Sequence, residues 1–350
     1  MAFQPDYRHF ETLMRNERPA RLPFYEHVFS ARVMETVLER EFMGLLGGDA
    51  ADQAEFFRLY NQFFAQMGYD TVIWEVCVGG ILPGRSALCG GLGPIQSRAD
   101  FEAYPWDELA ERFWRVATPS YEAFTASIPA GMKAVGGVGN GVFEIAETLV
   151  GLEHLPYMQV DDPDLYADLW QRIGDLLTGL WAEFVPRYGP FYVAGRMGDD
   201  LGHKCSLLTN PSTVRGHILP QYKRIIDTIH GAGLPFLWHS CGCIFEVMDD
   251  VIALGIDAKH SNEDTIAPFG DWIDRYGDRI ALLGGFDLDF LCTQDPDTIY
   301  ETVLEQGRRY RASARGWALG SGNSIPDYVP VDNYLAMIRA GRALRDEERG

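Results

Sequence analysis

Two residues two apart carry the strongest chemical signal in this chain. They are His239 and Cys241, at the end of Leu234-Pro-Phe-Leu-Trp-His-Ser-Cys-Gly242. The run reads as a short buried strand, and side chains two apart on a strand point the same way. An imidazole and a thiol therefore stand side by side at a strand end, and zinc favours both as ligands. A core histidine beside a core cysteine has the same spacing, because free cysteine is among the most buried residue types. A zinc site takes at least three protein donors, so the pair alone is half a site.

The rest must come from the elements that hold the pair. Eight short apolar stretches read as strands: Leu22–Val28, Asp70–Val76, Lys133–Val138, Phe191–Gly195, Leu234–His239, Asp257–Ser261, Ile280–Gly284 and Trp317–Gly320. Helices are expected between them over about Asp52–Met67, Asp107–Ser127, Asp162–Tyr188, Asn210–Ala232 and Ile244–Leu254, from Asp295-Pro296 onward, and over Val331–Arg345. Eight strands separated by helices, with no polar linker, argue for one (β/α)8 barrel over residues 1–350, with N-terminal helical additions. A doubly wound sheet alternates in the same way but carries a G-x-G-x-x-G turn after an early strand. Gly136-Gly137-x-Gly139-x-Gly141 misses that register and reads as loop flexibility.

Barrel enzymes build their active sites at the C-terminal strand ends. In chain order those ends supply Glu26, His27, Glu75, Asn140, Glu144, Asp199, Asp200, His203 and Cys205. His239, Cys241, Cys243, His260, Asn262, Asp287 and Asn323 complete the ring. So much carboxylate, imidazole and thiol suits a metal, or acid–base work on a small molecule. Single members read two ways. Asp199-Asp200 also fits a turn or helix cap. His203-x-Cys205 repeats the ligand spacing, but in an expected loop. Glu75, beside Trp74, is either a carboxyl with a raised pKa in an apolar wall or a surface residue.

Composition narrows the partners. The 350-residue chain has a formal charge of −20, which repels nucleic acid and anionic membranes and disfavours a strongly anionic substrate. No apolar run reaches the ~18 residues of a membrane helix. The start lacks a signal-peptide pattern. The six cysteines (Cys77, Cys89, Cys205, Cys241, Cys243, Cys292) are scattered and form no disulfide framework. A cytoplasmic protein with free thiols is the expectation.

Several stretches together carry a family likeness. They are Leu219 to Gly242, Leu254-Gly-Ile-Asp257, Tyr276-Gly-Asp-Arg-Ile280, Leu283-Gly-Gly-Phe-Asp287, Pro330-x-x-Asn333, Gly198-Asp-Asp-Leu-Gly202 and Met67-Gly-Tyr-Asp70. The chain resembles the uroporphyrinogen decarboxylase superfamily over nearly its whole length, and is most similar to the cobamide-dependent methyltransferase branch. The resemblance implies a (β/α)8 barrel independently of the strand count. True uroporphyrinogen decarboxylases carry an Arg-Gln-Ala-Gly-Arg motif after the first strand that binds substrate carboxylates. Here the region reads Phe24-Tyr-Glu-His-Val-Phe-Ser-Ala-Arg32, and Arg32 alone does not replace an arginine cluster.

The methyltransferase branch holds zinc with a His-x-Cys pair and a further cysteine near the eighth strand. His239 and Cys241 match the pair, but the third position reads Asn323, a poor zinc ligand. Glu26, Glu75, His27, Cys243 and Asp287 are substitutes among which the sequence does not choose. Glu26, Glu75, Asp200 and Asp287 are the expected ligands, proton donors or orienting groups, and Asn140, His260 and Asn323 the expected cofactor contacts. The implied function is a zinc-dependent methyltransferase working with a cobalamin-type corrinoid on a partner protein; a homodimer is compatible with this. Loss of the third cysteine points to a methoxylated or methylamine-like substrate. The alternatives are a metal-free decarboxylase, with Asp200 or Asp287 binding and protonating a carboxylated substrate, and a non-catalytic corrinoid- or small-molecule-binding barrel. Arg196, the one strand-end arginine, favours the methyltransferase.

Overall fold

Runs of Val, Ile, Leu, Ala and Gly form seven parallel strands in the computed structural model, which describes residues 3–88 and 90–348. They are β1 (Thr71–Cys77), β2 (Lys133–Gly139), β3 (Tyr192–Gly198), β4 (Phe236–His239), β5 (Ala258–His260), β6 (Ala281–Phe286) and β7 (Trp317–Ser321). They hydrogen-bond in chain order, β1 through β7, with helices in every crossover. The sheet curls into an α/β fold of the TIM-barrel type. Strands covered on both faces read as continuous apolar runs, and β4, β5, β6 and β7 are buried at every position. Among the described residues no helix is long and apolar enough to cross a membrane.

The predicted first strand, Leu22–Val28, is the main departure. It runs extended beside β7 and meets it in a single bridge, Phe24 with Leu319. Tyr25 N–H donates to the Leu319 carbonyl at 2.9 Å, and Leu319 N–H donates to the Pro23 carbonyl at 3.0 Å. Pro23 has no N–H with which to extend that ladder by another step. Among the described residues no ladder joins the segment to β1.

Two arginines span the seam. Arg345, from the helix Val331–Glu347, donates to the carbonyls of Leu22 and Gly68, each at 2.7 Å. Its guanidinium sits 3.6 Å from the Phe24 ring centroid and 3.5 Å from Asp70. Nearer the other end, Arg196 of β3 crosses the interior. It donates to the Tyr25 hydroxyl at 3.0 Å and the His27 carbonyl at 2.9 Å, and pairs with Glu75 of β1 at 2.8 Å.

Gly136 and Gly137 lie inside β2, within the predicted strand Lys133–Val138, so the reading of their glycine run as loop flexibility does not hold for them. A Cβ at Gly136, where φ is +143°, would sit 2.1 Å from the Trp74 carbonyl oxygen. Close approach of β1 and β2, not loop mobility, requires glycine there.

The seam makes a testable demand. Arg345→Met leaves buried Asp70 without one partner and frees two buried carbonyls, so urea unfolding is expected to show a loss of about 3 kcal/mol. Arg308→Met breaks only the exposed pair with Glu347 and is expected to cost under ~1 kcal/mol. Equal losses in the two variants would remove the clasp role.

Candidate metal centre at the strand ends

β4 ends at His239, between Gly198 of β3 and His260 of β5 in the ladder. The two histidines meet through their Nδ1 atoms at 2.8 Å. His260 Nε2 lies 3.2 Å from the Ser321 carbonyl. A carbonyl only accepts, so Nε2 of His260 carries the hydrogen and its Nδ1 is a lone pair. His239 Nδ1–H donates to that lone pair, and Nε2 of His239 is left with its own lone pair facing out. Burial pushes both imidazoles down, His260 to about 3 and His239 well below its ordinary value, with the charges of Arg196 and Lys259 adding to the effect on each and that of His260 adding to the effect on His239. Both rings are neutral at physiological pH.

The free Nε2 of His239 faces Cys241 Sγ at 3.4 Å and Asp200 Oδ1 at 3.8 Å. Zinc–nitrogen and zinc–sulfur bonds meeting at the tetrahedral angle place N and S roughly 3.5 Å apart. The donor atoms of Asp200, His239 and Cys241 all lie within 4.8 Å of one another. The Cys241 N–H donates to Asp200 Oδ1 at 2.8 Å, which aims the carboxylate at the pair. The Asp200 side chain is 41% exposed. Three protein donors open to solvent on one side make the ligand count of a catalytic zinc. Donor type, protonation and spacing all fit that metal.

A second set, His27, His239 and His260, has equally close nitrogens, but its geometry does not fit. His27 stacks on His239 with centroids 3.8 Å apart and planes within 10°. Lone pairs lie in the ring plane, so two parallel rings cannot converge on one ion. His27 Nδ1 is buried without a hydrogen-bond partner.

Asn323 stands beside the sulfur. Its Nδ2 donates to Cys241 Sγ at 3.2 Å, and Ser324 Oγ donates to its Oδ1 at 3.2 Å, which fixes the amide orientation. Ser261 Oγ gives a second contact to the sulfur at 3.5 Å. Burial pushes the Cys241 thiol up to about 12, and the Asp200 charge adds to this.

The other predicted residues go elsewhere, each for a physical reason. Glu26, expected as ligand or proton donor, sits behind His260. Its carboxyl takes the Ser321 N–H at 2.8 Å and the Ser321 hydroxyl, and burial pushes it up to about 8. Glu75 is held by Arg196. Asp287 caps the helix Leu288–Thr293 through the Asp289 N–H at 2.7 Å and takes the Asp264 N–H at 2.8 Å. Asn140, at φ +70°, accepts from the Gly79 N–H and donates to Glu144, both at 2.9 Å. His203 and Cys205 are exposed, and neither they nor Cys243 joins a donor cluster among the described residues.

An acidic wall flanks Asp200. Asp199 caps the helix Val142–Val150, accepting from the N–H groups of Phe143 at 2.9 Å and Glu144 at 2.8 Å. Burial raises Asp199 to about 6. Burial and repulsion from Asp199 and Asp200 raise Glu144 and Glu147 to about 8. The sequence alone does not single out Glu147, although its spacing of three from Glu144 puts both on one helix face. A cavity of about 880 Å³ lies at the opposite end of the barrel, among the residues that begin β2–β5, such as Lys133, Tyr192 and Asp257. None of the donors lines it.

Glu26 supplies a pH test. Its folded value of about 8 exceeds the ~4.3 of an unfolded glutamate. The fold therefore holds a proton that the unfolded chain releases. That stabilisation is whole below about pH 4 and is lost as pH rises to about 8. Glu26→Gln removes this loss, so its melting temperature is expected to fall less than the parent's between about pH 5 and 8. Parallel curves would place the proton elsewhere.

The chain has relatives at two levels. No curated protein matches it. A methyltransferase from Methanosarcina mazei superposes with a TM-score of 0.75 at 15% identity, covering 96% of this chain and 98% of that one. An intracellular xylanase from Thermoanaerobacterium saccharolyticum reaches a TM-score of 0.45 at 12% identity, over 95% and 98% of the two chains. The first likeness supports the fold, and the second carries no argument. The sequence pattern of the family described as uroporphyrinogen decarboxylase (URO-D) matches residues 94–344. That stretch contains six of the seven strands and every donor of the centre, and the chain belongs to the uroporphyrinogen decarboxylase (URO-D) family.

Proposed function

We propose that the chain is a zinc-dependent methyltransferase, moving a methyl group between a small methoxylated or methylamine-like compound and a corrinoid carried on a partner protein. The observation that carries this reading is the donor set. A neutral imidazole with its lone pair free, a thiol at 3.4 Å and a carboxylate at 3.8 Å face one another at an open strand end. Zinc bound there supplies Lewis acidity, lowering a thiol's pKa or polarising the heteroatom that bears the methyl group. The chain does the rest. His260 fixes the tautomer of His239. Asn323 and Ser261 hold the sulfur. Glu144 and Glu147, protonated at neutral pH beside Asp200, hold the proton that a heteroatom takes up when its methyl group leaves.

The same wall weighs against a polycarboxylate substrate. Arg196, the strand-end arginine, is buried and already bound to Glu75, Tyr25 and His27. Three further acids, Glu144, Glu147 and Asp199, stand beside the donor Asp200. The Methanosarcina mazei barrel that covers 96% of this chain is itself described as a methyltransferase, which supports the reading.

Metal analysis tests it. Protein purified without chelator is expected to carry one zinc per chain, and Cys241→Ala and His239→Ala to carry none. Asp200→Ala is expected to weaken zinc by at least about tenfold, since even second-sphere losses cost that much. Binding expels the Cys241 proton, held at about 12, and none from neutral His239. Affinity should therefore rise about tenfold per pH unit between about pH 6 and 8. Zinc-free wild type would overturn the reading. With zinc present, assays with cob(I)alamin and panels of methoxylated and methylamine compounds identify the donor.

A further inference from the structure

Lys259 is buried where a covered parallel sheet has little use for a charge. It lies on β5 and is 2% exposed. Its neighbour His260 faces the barrel interior, so Lys259 faces the helices. Its Nζ sits 4.2 Å from the ring centroid of Trp272, on the helix Phe269–Tyr276. Nζ donates to the His260 carbonyl at 3.2 Å and to the Ser261 carbonyl. No carboxylate lies within ion-pair distance among the described residues. Burial pushes its pKa down to about 7. A buried cation without a paired anion is expensive to keep, and a structural lysine at this position would be better replaced by leucine or methionine.

The group it grips is itself strained. Ser261 adopts φ +91°, a left-handed conformation that is costly for a non-glycine residue. That turn carries the Ser261 hydroxyl to 3.5 Å from Cys241 Sγ. It also lets Asn262 Oδ1 accept the Gly285 N–H at 3.1 Å. The lysine holds both carbonyls that bracket the bend.

We propose that Lys259 is a positioning residue for the Cys241 sulfur: its Nζ clamps the His260 and Ser261 carbonyls, holds Ser261 left-handed and so aims the Ser261 hydroxyl at the sulfur. The inference rests on the reading that Asp200, His239 and Cys241 hold a metal. Lys259 touches neither metal nor substrate. It acts through Ser261.

Cobalt(II) in place of zinc gives a direct readout, because the sulfur-to-cobalt charge-transfer band reports hydrogen bonding at the sulfur. Lys259→Met and Ser261→Ala are each expected to move that band to lower energy and to weaken zinc about tenfold. The double variant should match either single one, because both act through one contact. Lys259→Arg, which keeps charge and donors, should restore the band. If Lys259→Met does not fold, Lys259→Gln against Lys259→Arg gives the same comparison, with the band shifted only in the glutamine variant. Wild-type binding with an unmoved band in the methionine or glutamine variant overturns the proposal. So does simple additivity with Ser261→Ala. Wild type that binds no cobalt overturns the metal centre itself, a separate outcome.

Discussion

Arg196 lies fully inside the barrel and ends on groups from two chain segments that share no ladder. On one side is the Glu75 carboxylate of β1. On the other are the Tyr25 hydroxyl and the His27 carbonyl of the extended N-terminal segment. A buried guanidinium is tolerable only when its donors are filled and its charge answered, and both conditions hold here. The contact closes the barrel and builds the centre in the same stroke. Fixing the backbone at His27 sets its ring flat on His239, and fixing Tyr25 sets that ring edge-on to His260 at 4.9 Å. His239 is thus held on one face by stacking and at one edge by a hydrogen bond. Arg345 does the matching work at the far end of the seam, where only the fold is at stake.

How far the sequence shows this depends on the kind of interaction. Period and punctuation reveal β1 to β7 and the His239-x-Cys241 pair, because these follow from local patterning. Leu22–Val28 reads as a strand by apolarity. Its pairing stops for reasons visible only in register: Pro23 lacks the N–H for the step before the Phe24–Leu319 bridge, and the Ser321 N–H needed for the step after it goes to the Glu26 carboxyl. The helix Val142–Val150 is buried almost throughout, so the face that carries Glu144 and Glu147 does not read as a solvent-exposed one. The candidate carboxylates show the limit most clearly. Glu26, Asp200 and Asp287 are equivalent as residue types at strand ends. Only the fold decides between them: nearby N–H groups make Asp287 a helix cap and turn Asp200 toward the sulfur, while burial neutralises Glu26 behind His260.

Asn323 occupies the position where the resemblance places a third cysteine. The side chain still addresses the same sulfur, but as a hydrogen-bond donor. In the proposed centre the third donor atom would come instead from Asp200, just past the end of β3. A carboxylate carries the same formal charge as a thiolate but is the harder donor, and the two hydrogen bonds to Cys241 draw electron density from the remaining sulfur.

The chain of hydrogen bonds from His239 through His260 to Ser321 has a direction. Each link donates away from the centre, and the last acceptor is a peptide carbonyl, which has no proton to give back. Nothing can be relayed along it toward the reaction. At neutral pH His239 is therefore a fixed electron-pair donor with no part in proton traffic. The strand ends divide in two: one half is proton-silent and sets geometry, and the other, the acidic wall on the helix Val142–Val150 and the turn after β3, is where burial and mutual repulsion keep carboxyl protons in place.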